Sequence, residues 1–350
     1  MKLLRKLLFP LAVLYGWVTQ LRNFLYDKGV FGAYRFDVPV IAVGNLSVGG
    51  TGKSPAIEYL IRLLGPEYRI ATLSRGYKRN TKGFILANER ATAESIGDEP
   101  LQFYRKFAGK GSNPSAFTIQ VAVDADRKNG IETLLRQSPK PDLILLDDAF
   151  QHRRVRAGFY ILLTAYGDLY TNDCMLPTGN LREGRRGARR ADVIMVTKCP
   201  PGISPDRRKE IEKALAPAAH QKVFFSSIGY ADAVCGEGRE IPVSEIRDTA
   251  KLLLAGIAKP EPFFDFLLAP GDTVRRFADH HDFSDRDIAE IIVLAQGRPI
   301  VTTEKDYVRL RGKLPQLPLF YLPIQMDIHH SEAFDKAVQL FVHTGSSSKR

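Results

Sequence analysis

The run Ser47-Val48-Gly49-Gly50-Thr51-Gly52-Lys53-Ser54 has the residue types and spacing of a loop that wraps a phosphate chain. It follows the pattern GxxxxGK(S/T), with Ser47 in place of the first glycine. Glycines let backbone N–H groups curl around an anion, and a helix beginning near Lys53 would point its positive end at the same charge. Lys53 is placed to reach the β- and γ-phosphates and the Ser54 hydroxyl to bind Mg²⁺. The ligand this implies is a nucleoside triphosphate with Mg²⁺. Leu143-Ile144-Leu145-Leu146-Asp147-Asp148 reads as an apolar strand that delivers a carboxylate to that metal.

The class of phosphate chemistry follows from what accompanies the loop. A partitioning-type ATPase would carry lysine where Val48 stands, and a GTPase would carry an N-K-x-D base-reading motif. The nearest stretch, Thr197-Lys198-Cys199-Pro200, lacks both the Asn and the Asp. Both absences favour a small-molecule kinase using ATP. A kinase needs an acceptor hydroxyl and often a carboxylate to take its proton. Gly97-Asp98-Glu99-Pro100 presents two acids in what reads as a turn, and His280-His281, flanked by Asp279 and Asp282, offers an imidazole to orient one of them. Arginines at 75, 79, 127, 182, 185, 186, 189 and 190 could hold phosphates or anionic headgroups by forked hydrogen bonds. The stretch 182–190 has no interleaved aromatics, which argues against single-strand nucleic-acid binding.

These residues need a scaffold. Val38 to Val43, Tyr68 to Leu73, Phe117 to Val123, Leu143 to Leu146, Phe159 to Leu163 and Val193 to Val196 read as strands, with a helix from Ile57 to Leu64. Strands alternating with helices predict a parallel sheet covered on both faces. A change of unit is expected between Gly229 and Val243. Beyond it, strands at 252–256, 273–277, 299–302 and 319–322 alternate with helices, one capped by Ser284 with Asp287, and a final helix spans Ser331 to Val342. The boundaries predicted are an N-terminal helix at 1–28, a P-loop core at 29–228, a linker at 229–243 and a smaller α/β unit at 244–350.

The chain has 350 residues, a formal net charge of +11 and three cysteines without a CxxC pair. The charge favours anionic partners, and the cysteines exclude a disulfide framework or a zinc site. Lys2, Arg5 and Lys6 precede an uncharged stretch from Leu7 to Leu21, too short to span a bilayer. Leu4, Leu7, Leu8, Leu11, Leu14, Tyr15, Val18, Leu21 and Leu25 recur at helical spacing, with Arg22 on the same side and Asn23 away from it. The stretch reads as a basic amphipathic helix in a membrane interface, or equally as an ordinary helix packed on its own domain. A signal peptide is disfavoured because no A-x-A-like site follows.

Taken in order, Val43 to Lys53, Ser74-Arg75-Gly76-Tyr77, Gly97-Asp98-Glu99-Pro100, Asp147 to Arg153, Leu176-Pro177, Gly179 to Glu183, Ala255 to Ala258, Phe277 to His280 and Thr303-Glu304-Lys305-Asp306 resemble the tetraacyldisaccharide 4'-kinases. That resemblance implies two α/β/α units joined by a small β linker. It implies transfer of the ATP γ-phosphoryl group, with Mg²⁺, to the 4'-hydroxyl of a tetraacylated glucosamine disaccharide 1-phosphate, giving lipid IVA. The setting it implies is the cytoplasmic face of a Gram-negative inner membrane, with the protein peripheral or anchored by its N-terminal helix and no nucleic-acid partner. By position, Asp98 matches the catalytic acid/base and His280 its partner, with His281 the alternative. Asp147 matches the metal ligand. Glu99, Asp148 and Gln151 match residues lining the site, and Tyr77, Arg127 and Arg182 residues around the substrates. The sequence departs from the pattern at Gly184 to Ala188, where a proline would be expected after Glu183.

Overall fold

Every residue of Val40–Asn45 is buried, which requires cover on both faces of the strand. The computed structural model describes residues 5, 7–108, 119–236, 238–279, 281–314 and 317–347. Its elements run α1 (Phe9–Asp27), β1 (Val40–Asn45), α2 (Lys53–Leu64), β2 (Ile70–Ser74), β3 (Ile85–Leu86), α3 (Ala93–Ile96), α4 (Asp98–Phe107), β4 (Gln120–Val123), α5 (Arg127–Leu134), β5 (Leu143–Asp147), β6 (Phe159–Ala165), β7 (Val193–Thr197), α6 (Pro205–Leu215) and β8 (Lys222–Tyr230). There follow β9 (Ala233–Gly236), β10 (Arg239–Pro242), α7 (Val243–Asp248), β11 (Leu252–Ala255), α8 (Glu261–Leu267), β12 (Thr273–Arg276), α9 (Asp285–Ala295), β13 (Ile300–Thr303), α10 (Glu304–Leu310), β14 (Leu319–Leu322), β15 (Ile324–Ile328) and α11 (Ser331–Ser347).

The first sheet has nine strands in the order β15-β8-β7-β6-β1-β5-β2-β4-β3. All neighbours from β8 to β4 run parallel, and β15 and β3 pair antiparallel at the edges. Side-chain alternation splits the core. Ile41, Val43, Leu143 and Leu145 face α2 and α4, with Ile57, Ile61 and Phe103. Val40, Ala42, Ile144 and Leu146 face α5, with Ile131 and Leu134. β1 lies directly beside β5 with Val43 in register with Asp147, so the loop leaving β1 and the acid ending β5 emerge side by side.

The second sheet has six strands in the order β10-β9-β14-β13-β11-β12. Leu253, Val301 and Phe320 pack on Phe263, Phe264 and Leu267 of α8, and Leu252, Leu254 and Ile300 pack on α9 and α10. The Ser284–Asp287 capping box forms as expected, with the Asp287 amide 3.3 Å from Ser284 Oγ.

Two of the expected boundaries differ. β9 and β10 belong to the second sheet, so 229–243 is not a separate linker. Residues 324–347 do not belong with 244–323: β15 pairs with β8, and Phe334, Val338 and Val342 of α11 enter the core of the first sheet beside α2. Tyr59 of α2 donates to Asp335 Oδ1 at 2.7 Å. An amphipathic pattern states that a helix has an apolar face, not which sheet covers it.

Candidate active site

Local backbone demands explain the phosphate loop. Gly49 and Gly52 have φ of +116° and +85°, open to glycine at no steric cost, whereas Ser47 is not at positive φ and so needs no glycine. Gly52 caps α2, leaving the amides of its first turn free for an anion. Segment 180–182 braces the loop: the Val48 amide donates to the Asn180 carbonyl at 2.8 Å and the Arg182 amide to the Leu46 carbonyl at 2.7 Å. From the other side, Thr197 Oγ1 donates to the Thr51 carbonyl at 2.8 Å and Lys198 Nζ to the Gly50 carbonyl at 2.5 Å. The Thr51 hydroxyl is buried without a protein partner.

Three elements bring their polar ends to this loop. Ser54, in the first turn of α2, donates from Oγ to Glu99 Oε1 at 3.1 Å. Glu99 and Asp98 stand in the first turn of α4 rather than in a free turn, because Gly97 at φ +92° reverses the chain and Pro100 is tolerated early in a helix. Asp147 ends β5; its Oδ2 accepts from Ser74 Oγ at 3.2 Å, and its Oδ1 is buried with no partner. Burial, reinforced by the Glu99 and Asp148 charges, pushes the Asp147 carboxyl above its ordinary range, against the pull of Lys53 and Arg127.

Ser54, Glu99 and Asp147 are hard oxygen ligands of the kind Mg²⁺ takes, and the orphaned Asp147 Oδ1 fits them to such an ion. Among the described residues no group of three or more His, Cys, Asp or Glu side chains could hold a metal.

Asp148 takes a positive φ of +47°, which turns its carboxylate away from Asp147. Arg182 grips it with a fork at 3.0 and 2.8 Å, and Lys53 Nζ lies 3.8 Å away. Burial alone would raise the Asp148 pKa, but the Arg182 hydrogen bonds and the Lys53 charge outweigh it and hold the group below the usual range. Arg182 also donates to Asn45 Oδ1. Arg127 is buried beneath the strand end and donates to the Asp147 carbonyl at 3.3 Å; burial lowers its pKa to about 10. Arg127 therefore supports Asp147 from behind. Gln151 donates to the Asn45 carbonyl at 2.8 Å and to Glu183 Oε1 at 3.0 Å, beneath the phosphate loop.

Tyr77 is 70% exposed on the turn after β2. That turn lies against Gly97: a Cβ there would meet the Tyr77 carbonyl at 3.1 Å, so Tyr77 stands close to Asp98. His280 lies outside the described residues. His281 is committed elsewhere, with Nε2 3.0 Å from Asp287 Oδ2 and its ring packed between Phe277 and Phe283.

Three features escaped the sequence reading. Lys198 clamps the phosphate loop. Lys106 bridges Glu58 of α2 at 2.6 Å and Glu304 of α10 at 3.2 Å, tying the second unit to both site-bearing helices. Arg309 of α10 pairs with Asp98. For Arg309 the available signal was its position three residues after the Thr303–Asp306 motif.

The chain's residues 4–342 match the family model described as tetraacyldisaccharide-1-P 4'-kinase. It is 55% identical over 343 residues to the tetraacyldisaccharide 4'-kinase of Flavobacterium johnsoniae, covering 98% of each chain. It is 41% identical to the enzyme of that name from Porphyromonas gingivalis, covering 93% of each. Among solved structures, LpxK from Aquifex aeolicus in complex with ATP superposes with a TM-score of 0.77 at 30% identity, over 97% of this chain and 99% of that one. The chain belongs to the tetraacyldisaccharide-1-P 4'-kinase family.

Proposed function

We propose that this chain transfers the γ-phosphoryl group of ATP to the 4'-hydroxyl of a tetraacylated glucosamine disaccharide 1-phosphate, giving lipid IVA. The observation that carries the reading is the meeting of three helix and strand ends at one point. Ser54 Oγ and Glu99 Oε1 lie 3.1 Å apart, Asp147 ends the strand beside the phosphate loop, and Asp98 precedes Glu99 in the same helical turn.

Lys53 and the amides of the first turn of α2 hold the phosphates. Ser54, Asp147 and Glu99 would hold Mg²⁺, which would supply neutralisation of the phosphate charge. Asp98 takes the proton of the 4'-hydroxyl, with His280 as its partner by position in the family motif. The hydroxyl oxygen bonds to the γ-phosphorus as the bond to the bridging oxygen breaks and ADP leaves. Arg182 takes both Asp148 oxygens in its fork, so Lys53, 3.8 Å from Oδ1, shares that carboxylate and keeps ammonium capacity for phosphate. Tyr77, exposed beside Asp98, is placed to contact the sugar. Most of the rate gain lies in positioning and in fixed charge.

The acyl chains stay in the bilayer beside α1, on the cytoplasmic face of a Gram-negative inner membrane. The polar face of α1 is tied to the site: Tyr15 donates to the Arg182 carbonyl at 2.9 Å, Asn23 to Glu183 Oε2 at 2.9 Å and Arg22 to the Gln151 carbonyl at 2.9 Å. Arg22 and Tyr15 thus face the body of the protein, not the apolar stripe. Leu11, Leu14, Trp17, Val18, Leu21 and Phe24 are exposed together on the opposite side. Among the described residues no helix is long and apolar enough to cross a membrane; the exposed apolar side of α1 supports a helix lying along the interface. In the basic stretch, Arg182, Arg185 and Arg190 are engaged within the protein, by Asp148, the Asp173 carbonyl and Glu183.

The test is incubation of the purified protein with ATP, Mg²⁺ and the disaccharide in detergent, read by mass spectrometry. A lipid heavier by one phosphate supports the reading; ADP formation with unchanged lipid contradicts it.

A further inference from the structure

Arg309 reaches from the second unit into the first and pairs with Asp98 through Nη2 and Oδ2. Its Nη1 donates to the His281 carbonyl at 3.2 Å. One planar guanidinium therefore holds at once the carboxylate on α4, 211 residues away in sequence, and the backbone carbonyl of His281. The two arms of the fork are fixed relative to each other, so they set a geometry that a flexible point charge would not.

Docking of α10 does not depend on this contact. Val308 is buried against Ile96, Leu101 and Val123, and Lys106 joins Glu304 to Glu58. The Arg309 and Asp98 side chains are 16% and 27% exposed, a partly buried pair whose attraction is set against the cost of desolvating both ions. An arginine spent there is better explained by what it does to Asp98.

We propose that Arg309 is a positioning residue: it clamps Asp98 by Oδ2 while it holds the His281 carbonyl, leaving Oδ1 to accept the proton of the sugar hydroxyl. This rests on the reading of Asp98 as the base. Its contacts with Asp98 and the His281 carbonyl are with neither the phosphate loop nor the metal-ligand candidates, so its loss is expected to act on the transfer step.

The test compares full-length Arg309→Gln, Arg309→Lys and Asp98→Asn, and the Asp98→Asn/Arg309→Gln double variant, in detergent with ATP and the disaccharide. Arg309→Gln is expected to lower kcat by about 10- to 100-fold, the scale of a 1 Å misplacement. The KM for ATP should stay within about twofold of the parent, because substrate binding is untouched. Arg309→Lys, which keeps the charge without the fork, should recover part of the loss. In the Asp98→Asn background, Arg309→Gln should change the residual rate by less than about twofold, since coupled residues are not additive. A normal kcat in Arg309→Gln, or the same loss with and without Asp98, overturns the proposal while leaving Asp98 as base. A near-normal rate in Asp98→Asn removes the base reading and this inference together. Melting curves identify a misfolded variant; if Arg309→Gln is one, the Lys variant decides, and a Lys variant with normal kcat, or with a raised KM for ATP instead of a lowered kcat, overturns the proposal.

Discussion

Ser54 and Glu99 stand 3.1 Å apart although they start different helices, α2 and α4. The contact joins the phosphate loop to the helix that carries Asp98, so the proposed metal ligands and the proposed base share one frame.

Glu99→Gln should therefore weaken the metal step more than nucleotide binding. The Mg²⁺ concentration needed for half-maximal turnover should rise about tenfold or more, while ATP binding without metal is unchanged. Removal of Mg²⁺ by chelation should stop turnover in the parent. Titrating Mg²⁺ in steady-state assays checks both; a parent-like Mg²⁺ requirement in Glu99→Gln would assign that carboxylate elsewhere.

The buried Lys106 sits between Glu58 and Glu304, and Glu58 is also paired with Arg62 at 3.2 Å. Burial, reinforced by the charge of Glu58 and only partly offset by Lys106, pushes Glu304 up to about 7. A carboxyl raised in the folded state takes up a proton on folding, so its contribution to stability is present at low pH and is lost as pH rises toward 7. Glu304→Gln should flatten that dependence: its melting temperature relative to the parent should be higher at pH 8 than at pH 5. Scanning fluorimetry across this range is the check, and parallel curves would contradict it.

The exposed side of α1 predicts membrane binding that can be removed without unfolding. Trp17 is 69% and Leu14 57% exposed. Trp17→Glu with Leu14→Glu should cut the fraction bound to phospholipid vesicles by about tenfold or more and leave the melting temperature unchanged, since each apolar side chain buried is worth about 1.5–3 kcal/mol. Co-sedimentation measures it; undiminished binding would place the membrane contact on another surface.

Arg182→Ala should release Asp148 toward Lys53, now 3.8 Å away. The KM for ATP should rise about tenfold as the ammonium is drawn off the phosphates. Arg182→Lys, which loses the fork, should recover only part. Steady-state kinetics with varied ATP decide, and an unchanged KM would show that the fork serves Asn45 instead.

What the sequence disclosed and what it hid divide by distance along the chain. The strand, phosphate loop and helix at 40–64 are local, so apolar runs and glycines at positive φ were enough to read them. The register of Val43 with Asp147 was foreshadowed by two short motifs with a known partnership. The return of β15 and α11 to the first sheet was not legible, because the apolar periodicity of 331–342 fits either core. The face of α1 was misjudged at Tyr15 and Arg22 because their partners, Arg182 and Gln151, lie more than a hundred residues away. The Asp98–Arg309 pair spans 211 residues, beyond any local pattern. The His281–Asp287 contact was likewise hidden, since spacing after Asp279 says nothing of which carboxylate a histidine meets.

The most direct test of the account is transfer from γ-labelled ATP to the disaccharide by Asp98→Ala, set beside its ATP affinity. The account predicts label in the lipid with the parent, a loss of at least about 100-fold with the variant, and ATP binding close to the parent's. Label transferred at the parent rate, or ATP binding lost along with transfer, would contradict the placing of the base at Asp98.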